Sequence, residues 1–189
     1  QLYFLQELGL KPYHRVLEIG CGALVAGLPI ITYLNSNNYT GIEPNKWLVD
    51  ETYEVPENKI ILDNKSPVFL CNLNFDASAL TRKHDFILSH SVMSHASIQQ
   101  LATFLKNTNN ALESNGSLLF SLNLVDKLED EEMSDEWLYP GSTCFHKDLA
   151  LNLIKSYYKN VEIKEDFTKR IMNVHSTSIH SWVLAKQWT

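Results

Sequence analysis

The strongest constraint on the fold is an alternation along the chain between short β-rich apolar runs and longer segments of helical periodicity. A strand that is buried on both faces of its sheet has a continuous run of apolar residues in the sequence. A helix between two successive strands allows them to pair in parallel. The alternation therefore predicts a doubly wound α/β domain, with a mostly parallel seven-stranded sheet and helices on both faces. The predicted strands are 15–19, 39–43, 67–72, 85–89, 117–123, 161–166 and 181–186.

Apolar stripes mark two of the predicted helices. The first stripe lies between the fourth and fifth strands, and Asn115-Gly116 predicts the end of its helix. The second lies between the fifth and sixth strands. Because such stripes cover a sheet, we expect both to pack into the core. The first stripe is Ile98, Leu101, Ala102, Leu105 and Leu112, and the second is Leu149, Leu153 and Tyr157, flanked by Ala150 and Ile154.

The end of the chain departs from the parallel pattern. Residues 167–180 join the last two strands and carry no strong helical stripe, which predicts an antiparallel C-terminal pair. No internal repeat or linker divides the sequence, so we expect one domain over residues 1–189. The chain starts at Gln1 rather than at Met, which leaves room for an N-terminal segment ahead of it.

Composition excludes several classes of function. The 189 residues are 44% hydrophobic and carry a net charge of −6, so a nucleic-acid partner is not expected. No apolar run is long enough to span a membrane and no secretory signal is visible, which predicts a cytoplasmic protein without a membrane partner. The three cysteines form no CxxC pair, and no metal site is expected. The acidic run 126–136 predicts a solvated loop or helix start, with a lid over a site as the alternative.

Two acidic residues follow apolar strands and flank a glycine turn. Glu18 ends the first strand, Gly20 and Gly22 follow, and Glu43 and Pro44 end the second strand. Ligands of open α/β sheets bind beyond the carboxyl ends of the strands, and glycine allows a tight turn and close approach there. A carboxylate after the second strand suits the two hydroxyls of a ribose, because it accepts both hydrogen bonds at once.

A dinucleotide-dependent oxidoreductase also uses a glycine turn followed by an acidic residue. The third glycine of its motif would stand at position 25, where this chain has Val25. Glu18 would also place a negative charge beside the negatively charged pyrophosphate of a dinucleotide. A positively charged sulfonium or ammonium group would tolerate this carboxylate. The sequence therefore disfavours that class, and the missing P-loop lysine disfavours a nucleoside triphosphatase.

In these residues the chain resembles the class I S-adenosylmethionine-dependent methyltransferases, over nearly its whole length. The resemblance implies a Rossmann-like fold and the cofactor S-adenosylmethionine, with S-adenosylhomocysteine as the product. It implies that the turn Glu18, Gly20, Cys21 and Gly22 contacts the amino-acid end of the cofactor. Leu24 replaces the third glycine of the family motif.

The resemblance also implies roles for the ends of the next strands. Glu43 and Pro44 would bind the ribose, and Asp76 with Ala77 would meet the adenine, with Asn72 or Asn74 as alternatives. His90 lies in the segment that lines cofactor and acceptor after the fourth strand.

The loops that open on the cofactor side hold the candidate catalytic residues. A neutral imidazole is a suitable base, and we expect His95 or His175 to take a proton from the acceptor. The expected acceptor pocket joins these two to Tyr139, His180 and Trp182. Further polar residues on these loops are His90, His146 and Arg170.

The sequence thus predicts methyl transfer to an oxygen or nitrogen of a small-molecule acceptor. The alternative is a non-catalytic domain of the same fold that binds or scaffolds within a larger protein, associated with further protein segments. The motif Asn/Asp-Pro-Pro-Tyr, typical of enzymes that methylate nucleic acids or protein glutamine, does not occur.

Overall fold

A single sheet organises residues 1–126, 136–167 and 180–187, the part of the chain that the computed structural model describes. Its strand order is β3-β2-β1-β4-β5-β8-β7, with β6 beside β5. The strands are β1 (Val16–Ile19), β2 (Tyr39–Ile42), β3 (Val68–Leu70), β4 (His84–Ser89), β5 (Leu112–Val125), β6 (Cys144–His146), β7 (Asn160–Ile163) and β8 (His180–Lys186). The helices are α1 (Leu2–Glu7), α2 (Gly27–Tyr33), α3 (Lys46–Tyr53), α4 (Pro56–Lys65), α5 (Ile98–Ala111) and α6 (Lys147–Tyr157), with a 3₁₀ turn at Met93–His95.

Parallel pairing joins β3, β2, β1, β4 and β5, whereas β8 pairs antiparallel with both β5 and β7. The chain runs outward from β1 through β2 to β3 and then returns to β4 on the other side of β1. That reversal is the topological switch point, where ligands of such sheets bind. The predicted Rossmann-like doubly wound sheet with an antiparallel C-terminal strand is confirmed.

Alternate residues of the central strands bury their side chains on opposite faces of the sheet. Leu17 and Ile87 pack in a cluster with α5 and α6, whereas Val16 and Leu88 pack in a cluster with α1 and α2. All four side chains are fully buried. This double burial explains why the strands read as unbroken apolar runs.

The fifth strand starts earlier than the sequence predicts. Helix α5 begins with a capping box between Ser97 and Gln100 and ends at Ala111, and Leu112 is already extended. Asn115-Gly116 therefore lies inside β5 rather than at a helix end, and that expectation was wrong. A Cβ on Gly116 would lie 2.7 Å from a Leu112 methyl carbon, so glycine serves close packing there.

An eighth strand, β6, was not predicted. Its residues pair in parallel with Asn123–Val125, on the side of β5 opposite to β8 and in line with β4. Three residues are too few to show an alternating pattern, and the pairing depends on contacts distant in sequence. β6 prolongs the sheet beyond the carboxyl end of β4.

The stripe on α6 is shifted from its predicted face. Ala150 and Ile154 are fully buried, Leu153 and Tyr157 pack against the same cluster, and Leu149 is 59% exposed. Leu149 was therefore wrongly placed in the core, because one apolar residue beside a stripe fits either face.

Among the described residues, each helix is too short or too polar to cross a membrane.

The sequence predicts that the last two strands pair antiparallel, and the pairing of β7 with β8 confirms it. Residues 168–179, which connect them, lie outside the described part of the chain.

Two substitutions on α6 test the corrected stripe. Ile154→Ala removes a fully buried side chain, and we expect it to lower the free energy of unfolding by about 2–5 kcal/mol. Leu149→Ala, the matched control on the same helix, should change it by less than about 1 kcal/mol. Urea unfolding followed by circular dichroism measures both, and equal losses would contradict the assignment of the buried face.

Candidate functional site

A cavity of about 410 Å³ opens at the carboxyl ends of β1, β2 and β4, at the switch point of the sheet. Residues from each of these strand ends contribute to its wall. It is lined by Ile19, Gly20, Ile42, Glu43, Pro44, Asn45, Asn72, Leu73, Phe75, His90, Ser91, Val92, His95, Trp137 and Tyr139.

The glycine turn after β1 forms one wall of the cavity. Gly20 has a φ of 72° and Gly22 a φ of 52°, left-handed values that favour glycine. The Gly20 N–H donates to the Ile42 carbonyl oxygen at 2.8 Å, and a Cβ at Gly20 would lie 2.3 Å from Val92 Cγ2. A Cβ at Gly22 would meet no atom within 4 Å, so this position faces open space.

The left-handed backbone continues at Leu24, where the third glycine of the family motif is replaced. Leu24 has a φ of 58°, which costs an L-residue roughly 1–2 kcal/mol. Its side chain is only 1% exposed and packs in the cluster of α1 and α2. Burial offsets the backbone strain, so the turn keeps its geometry without the third glycine.

Glu43 connects the glycine turn to the end of β2. One carboxylate oxygen, Oε2, accepts from the Gly22 N–H at 3.0 Å, and the other, Oε1, accepts from the Asn45 N–H at 2.9 Å. The side chain is buried, yet it lines the cavity. Each carboxylate oxygen can accept a second hydrogen bond, so Glu43 offers two further acceptor positions.

Glu18 and Cys21 lie beneath the turn rather than on the cavity wall. The Glu18 carboxyl accepts a hydrogen bond from the Tyr39 hydroxyl, and burial raises its pKa to about 7 although that hydrogen bond lowers it. Cys21 packs against Gly41, where a Cβ would lie 2.7 Å from its sulfur atom. Burial, reinforced by the nearby Glu18 and Glu43 carboxylates, raises the pKa of the Cys21 thiol, so it stays protonated.

Of the three candidates for the adenine contact, Asp76, Asn72 and Asn74, only Asn72 is among the residues that line this cavity. Asn72 lines the cavity, and its side chain bonds to both the N–H and the carbonyl oxygen of Asp76. Asp76 and Ala77 line a separate cavity, and the Asp76 carboxylate accepts from the Ser78 N–H and hydroxyl. Asn72, one of the two alternatives that the sequence left open, therefore lies at the cavity, and Asp76 lies outside it.

Residues 136–143, here called the cover segment, contribute Trp137 and Tyr139 to the cavity wall. Leu138 N–H donates to the His95 carbonyl oxygen at 2.9 Å, and Thr143 N–H donates to the Ser94 carbonyl oxygen at 2.7 Å. The Trp137 ring packs on Phe75, with 6.1 Å between ring centroids. Sequence reasoning missed Trp137 and Phe75, because only contacts distant in sequence bring them to the cavity.

His95 lies at the cavity beside the cover segment. Its Nδ1 lies 2.6 Å from the Gly141 carbonyl oxygen, so Nδ1 carries the proton and donates. In the neutral ring, Nε2 then holds the free electron pair. The ring contacts Tyr139 edge to face at 5.2 Å, so the predicted neighbours His95 and Tyr139 do lie together.

His180 and Trp182 join His90 instead of His95. The rings of His90 and Trp182 stack at 5.0 Å, and His180 meets His90 edge to face at 5.7 Å. The side-chain amide of Gln1 donates to His90 Nδ1 at 2.7 Å. Burial, with His180 nearby, lowers the pKa of His90 to about 4, so this ring is neutral at physiological pH.

The predicted acceptor pocket is therefore divided. Trp182 packs in the cluster with α1 and α2, whereas the Met93–His95 turn packs against the opposite cluster. His146 precedes α6 and does not line the cavity. His175, Arg170 and residues 127–135 of the acidic run lie outside the described residues. Within the described ranges, no three His, Cys, Asp or Glu side chains are placed to hold a metal ion.

Comparison with known proteins identifies the fold. No protein-family model and no curated protein matches the sequence. Solved structures do match, among them a S-adenosylmethionine-dependent methyltransferase from Clostridium acetobutylicum, with a TM-score of 0.67 and 13% identity over 100% of this chain and 89% of that one.

Two further structures extend the comparison. A TehB-like S-adenosylmethionine-dependent methyltransferase from Corynebacterium glutamicum matches with a TM-score of 0.64 and 13% identity, over 98% of this chain and 86% of that one. Magnesium protoporphyrin IX methyltransferase from Synechocystis, solved with bound S-adenosylmethionine, matches with a TM-score of 0.64 and 14% identity, over 97% and 74%. The fold of this chain is that of the class I S-adenosylmethionine-dependent methyltransferases.

The turn after β1 gives a stability prediction. Gly20→Ala combines left-handed strain of roughly 1–2 kcal/mol with overpacking against Val92 of roughly 1–3 kcal/mol, so we expect a loss of about 2–5 kcal/mol. Gly22→Ala carries the strain alone and should cost about 1–2 kcal/mol.

Urea unfolding of both variants and of Gly20→Ala/Val92→Ala measures these terms. The double variant should be more stable than the sum of its single changes implies, because Val92 is the colliding side chain. Additive losses would show that Val92 does not restrict Gly20.

Proposed function

We propose that this chain transfers a methyl group from S-adenosylmethionine to an oxygen or nitrogen atom of a small-molecule acceptor, leaving S-adenosylhomocysteine. The observation that carries the proposal is the junction of Glu43 with the glycine turn, at a cavity on the switch point of the sheet. It supplies carboxylate acceptors for a ribose diol beside a backbone that a ligand can approach closely.

The residues of the cavity fit the parts of this cofactor. Glu43 would hold the ribose hydroxyls, and Asn72 would meet the edge of the adenine. Gly20 and Gly22 would face the amino-acid end, where the open space at Gly22 leaves room for it. The solved relative from Synechocystis contains S-adenosylmethionine in the same fold, which supports the assignment.

When bound, the cofactor supplies a methyl group activated by a cationic sulfonium. That methyl group would pass to an electron pair of the acceptor as the carbon–sulfur bond breaks, and a base on the chain would take the proton that the acceptor loses. The chain's own contribution is alignment and exclusion of water, and orientation alone can supply on the order of 7–11 kcal/mol. Trp137 of the cover segment, packed on Phe75, would keep water from the cavity.

The two histidines at the cavity differ in what they offer an acceptor. Because His95 Nδ1 donates to the Gly141 carbonyl oxygen, Nε2 is the atom that could take the acceptor's proton. His90 accepts from Gln1 at Nδ1, so its Nε2 carries hydrogen and can donate to an acceptor oxygen. His95 is therefore a proposed base, as is His175, the other candidate from the sequence. His90 is a proposed hydrogen-bond donor.

Calorimetry and a methylation assay test the proposal. We expect S-adenosylhomocysteine to bind in the micromolar range and to raise the melting temperature by mass action. The assay then follows transfer of a labelled methyl group to a panel of small phenols, carboxylic acids and amines. Absence of binding at millimolar ligand to folded protein would overturn the proposal. Binding without transfer to any acceptor would favour the non-catalytic alternative.

Replacing the ribose carboxylate gives the most direct mutational prediction. Glu43→Gln keeps the shape of the side chain but removes its charge and one acceptor oxygen. We expect affinity for S-adenosylhomocysteine to fall about tenfold to a hundredfold, the scale of hydrogen bonds to charged groups. The control Asp50→Asn changes an exposed carboxylate on α3 and should leave affinity unchanged. Unchanged binding in Glu43→Gln would remove Glu43 from the ribose site.

A second pair of variants locates the adenine contact. Asn72→Asp replaces the side-chain amide on the cavity wall but can still accept from the backbone, and Asp76→Asn changes the carboxylate outside the cavity. We expect Asn72→Asp to change affinity for S-adenosylhomocysteine at least threefold and Asp76→Asn to change it less than twofold. The reverse order in calorimetry would return the adenine role to Asp76.

A further inference from the structure

The Glu18 carboxyl group lies in an unusual position for an acidic side chain. It is only 3% exposed, and it lies on the side of the sheet that α2 covers. A Cβ at Gly27, the first residue of α2, would lie 3.0 Å from its Oε2. The glycine therefore leaves room for a carboxyl group directly under the turn that borders the cavity.

No described lysine or arginine side chain balances a negative charge on Glu18. Its hydrogen bond comes from the neutral Tyr39 hydroxyl on β2. No lysine or arginine in residues 1–126, 136–167 and 180–187 forms an ion pair with it. The α-amino group of Gln1, ahead of α1, is a positive charge that lowers the pKa of Glu18, and the Cys21 thiol on the turn lies near it.

A buried carboxyl group without a lysine or arginine beside it is sensitive to charge in the adjacent cleft, because screening in a protein interior is weak. The cofactor of the proposed function brings such a charge. S-adenosylmethionine carries one more positive charge than S-adenosylhomocysteine, since methyl transfer converts its sulfonium to a neutral thioether. The two ligands otherwise match in their adenine, ribose and amino-acid groups.

We propose that Glu18 distinguishes the charged cofactor from its neutral-sulfur product by losing a proton when S-adenosylmethionine enters the cleft and regaining one when the product forms. This inference rests on the proposed function and adds a specificity role for one residue. The proton exchanges with solvent, and no other group is oxidised or reduced. Deprotonated Glu18 attracts the sulfonium, and its reprotonation favours release of the product.

The sign of the pH dependence follows from this exchange. With a pKa of about 7, Glu18 is mostly protonated near pH 6 and mostly ionised above pH 8. Affinity for S-adenosylmethionine should therefore rise with pH and level off, by up to about tenfold, because only the ionised fraction is competent for tight binding. Affinity for S-adenosylhomocysteine should rise by a smaller factor.

Calorimetric titration of both ligands between pH 6 and pH 8.5 tests the proposal on the unaltered chain. Repeating the titrations near pH 7 in two buffers of different ionisation enthalpy counts the protons released. We expect more protons released by S-adenosylmethionine than by S-adenosylhomocysteine. Acetylating the Gln1 amino group beforehand removes its titration from the measurement.

Two variants assign the effect to Glu18. In Glu18→Gln the ratio of the two affinities should be independent of pH within about twofold. Tyr39→Phe removes the hydrogen bond that stabilises the ionised carboxyl, so the rise should move to higher pH. The control Asp50→Asn, at an exposed carboxylate on α3, should keep the native profile. A melting curve for each variant shows whether it is folded. The proton count on the native chain tests the proposal even if a variant does not fold.

The outcomes separate this inference from the proposed function. If neither ligand binds, both are overturned. If both ligands bind with equal proton release and a constant affinity ratio across the pH range, the role of Glu18 is overturned and the proposed function stands. If the affinity ratio in Glu18→Gln depends on pH as it does in the native chain, the role of Glu18 is likewise overturned.

Discussion

The turn between β1 and α2 must hold a left-handed backbone while it is pressed against the loop after β4 and bonded to the end of β2. Gly20 meets this constraint, with Val92 on one side and the Ile42 carbonyl on the other. The Gly22 N–H then reaches the Glu43 carboxylate. Three strand ends are fixed relative to one another, and the cavity is the space that this arrangement leaves. The cover segment borders it and is held by backbone bonds to Ser94 and His95.

The parts of the fold that could be predicted are those that a local pattern of apolar and polar residues specifies. β1 and β4 are buried on both faces, so their apolar runs identify them directly. Leu112 shows why the start of β5 could not be predicted. An apolar residue directly after a helix fits both the apolar stripe of that helix and the strand that follows. β6 could not be predicted, since its three residues show no alternating pattern and pair with β5 through contacts distant in sequence.

The candidate site divides in the same way. Gly20 and Glu43 follow strand ends in the sequence and do meet at the cavity, whereas the choice between Asp76 and Asn72 depends on how a loop folds on itself. The separation of His95 from the His90, His180 and Trp182 group depends on which face of the sheet each side chain occupies. The burial of Glu18 beside Tyr39 also depends on tertiary packing, and it changes an apparent anion into a group that titrates near neutrality.

A crystal structure of the chain grown with S-adenosylhomocysteine tests the central claim most directly. The account predicts ligand density in the cavity at the ends of β1, β2 and β4, with the ribose hydroxyls within hydrogen-bond distance of both Glu43 oxygens and the adenine edge at Asn72. Density elsewhere on the molecule, or a ribose that does not contact Glu43, would contradict it.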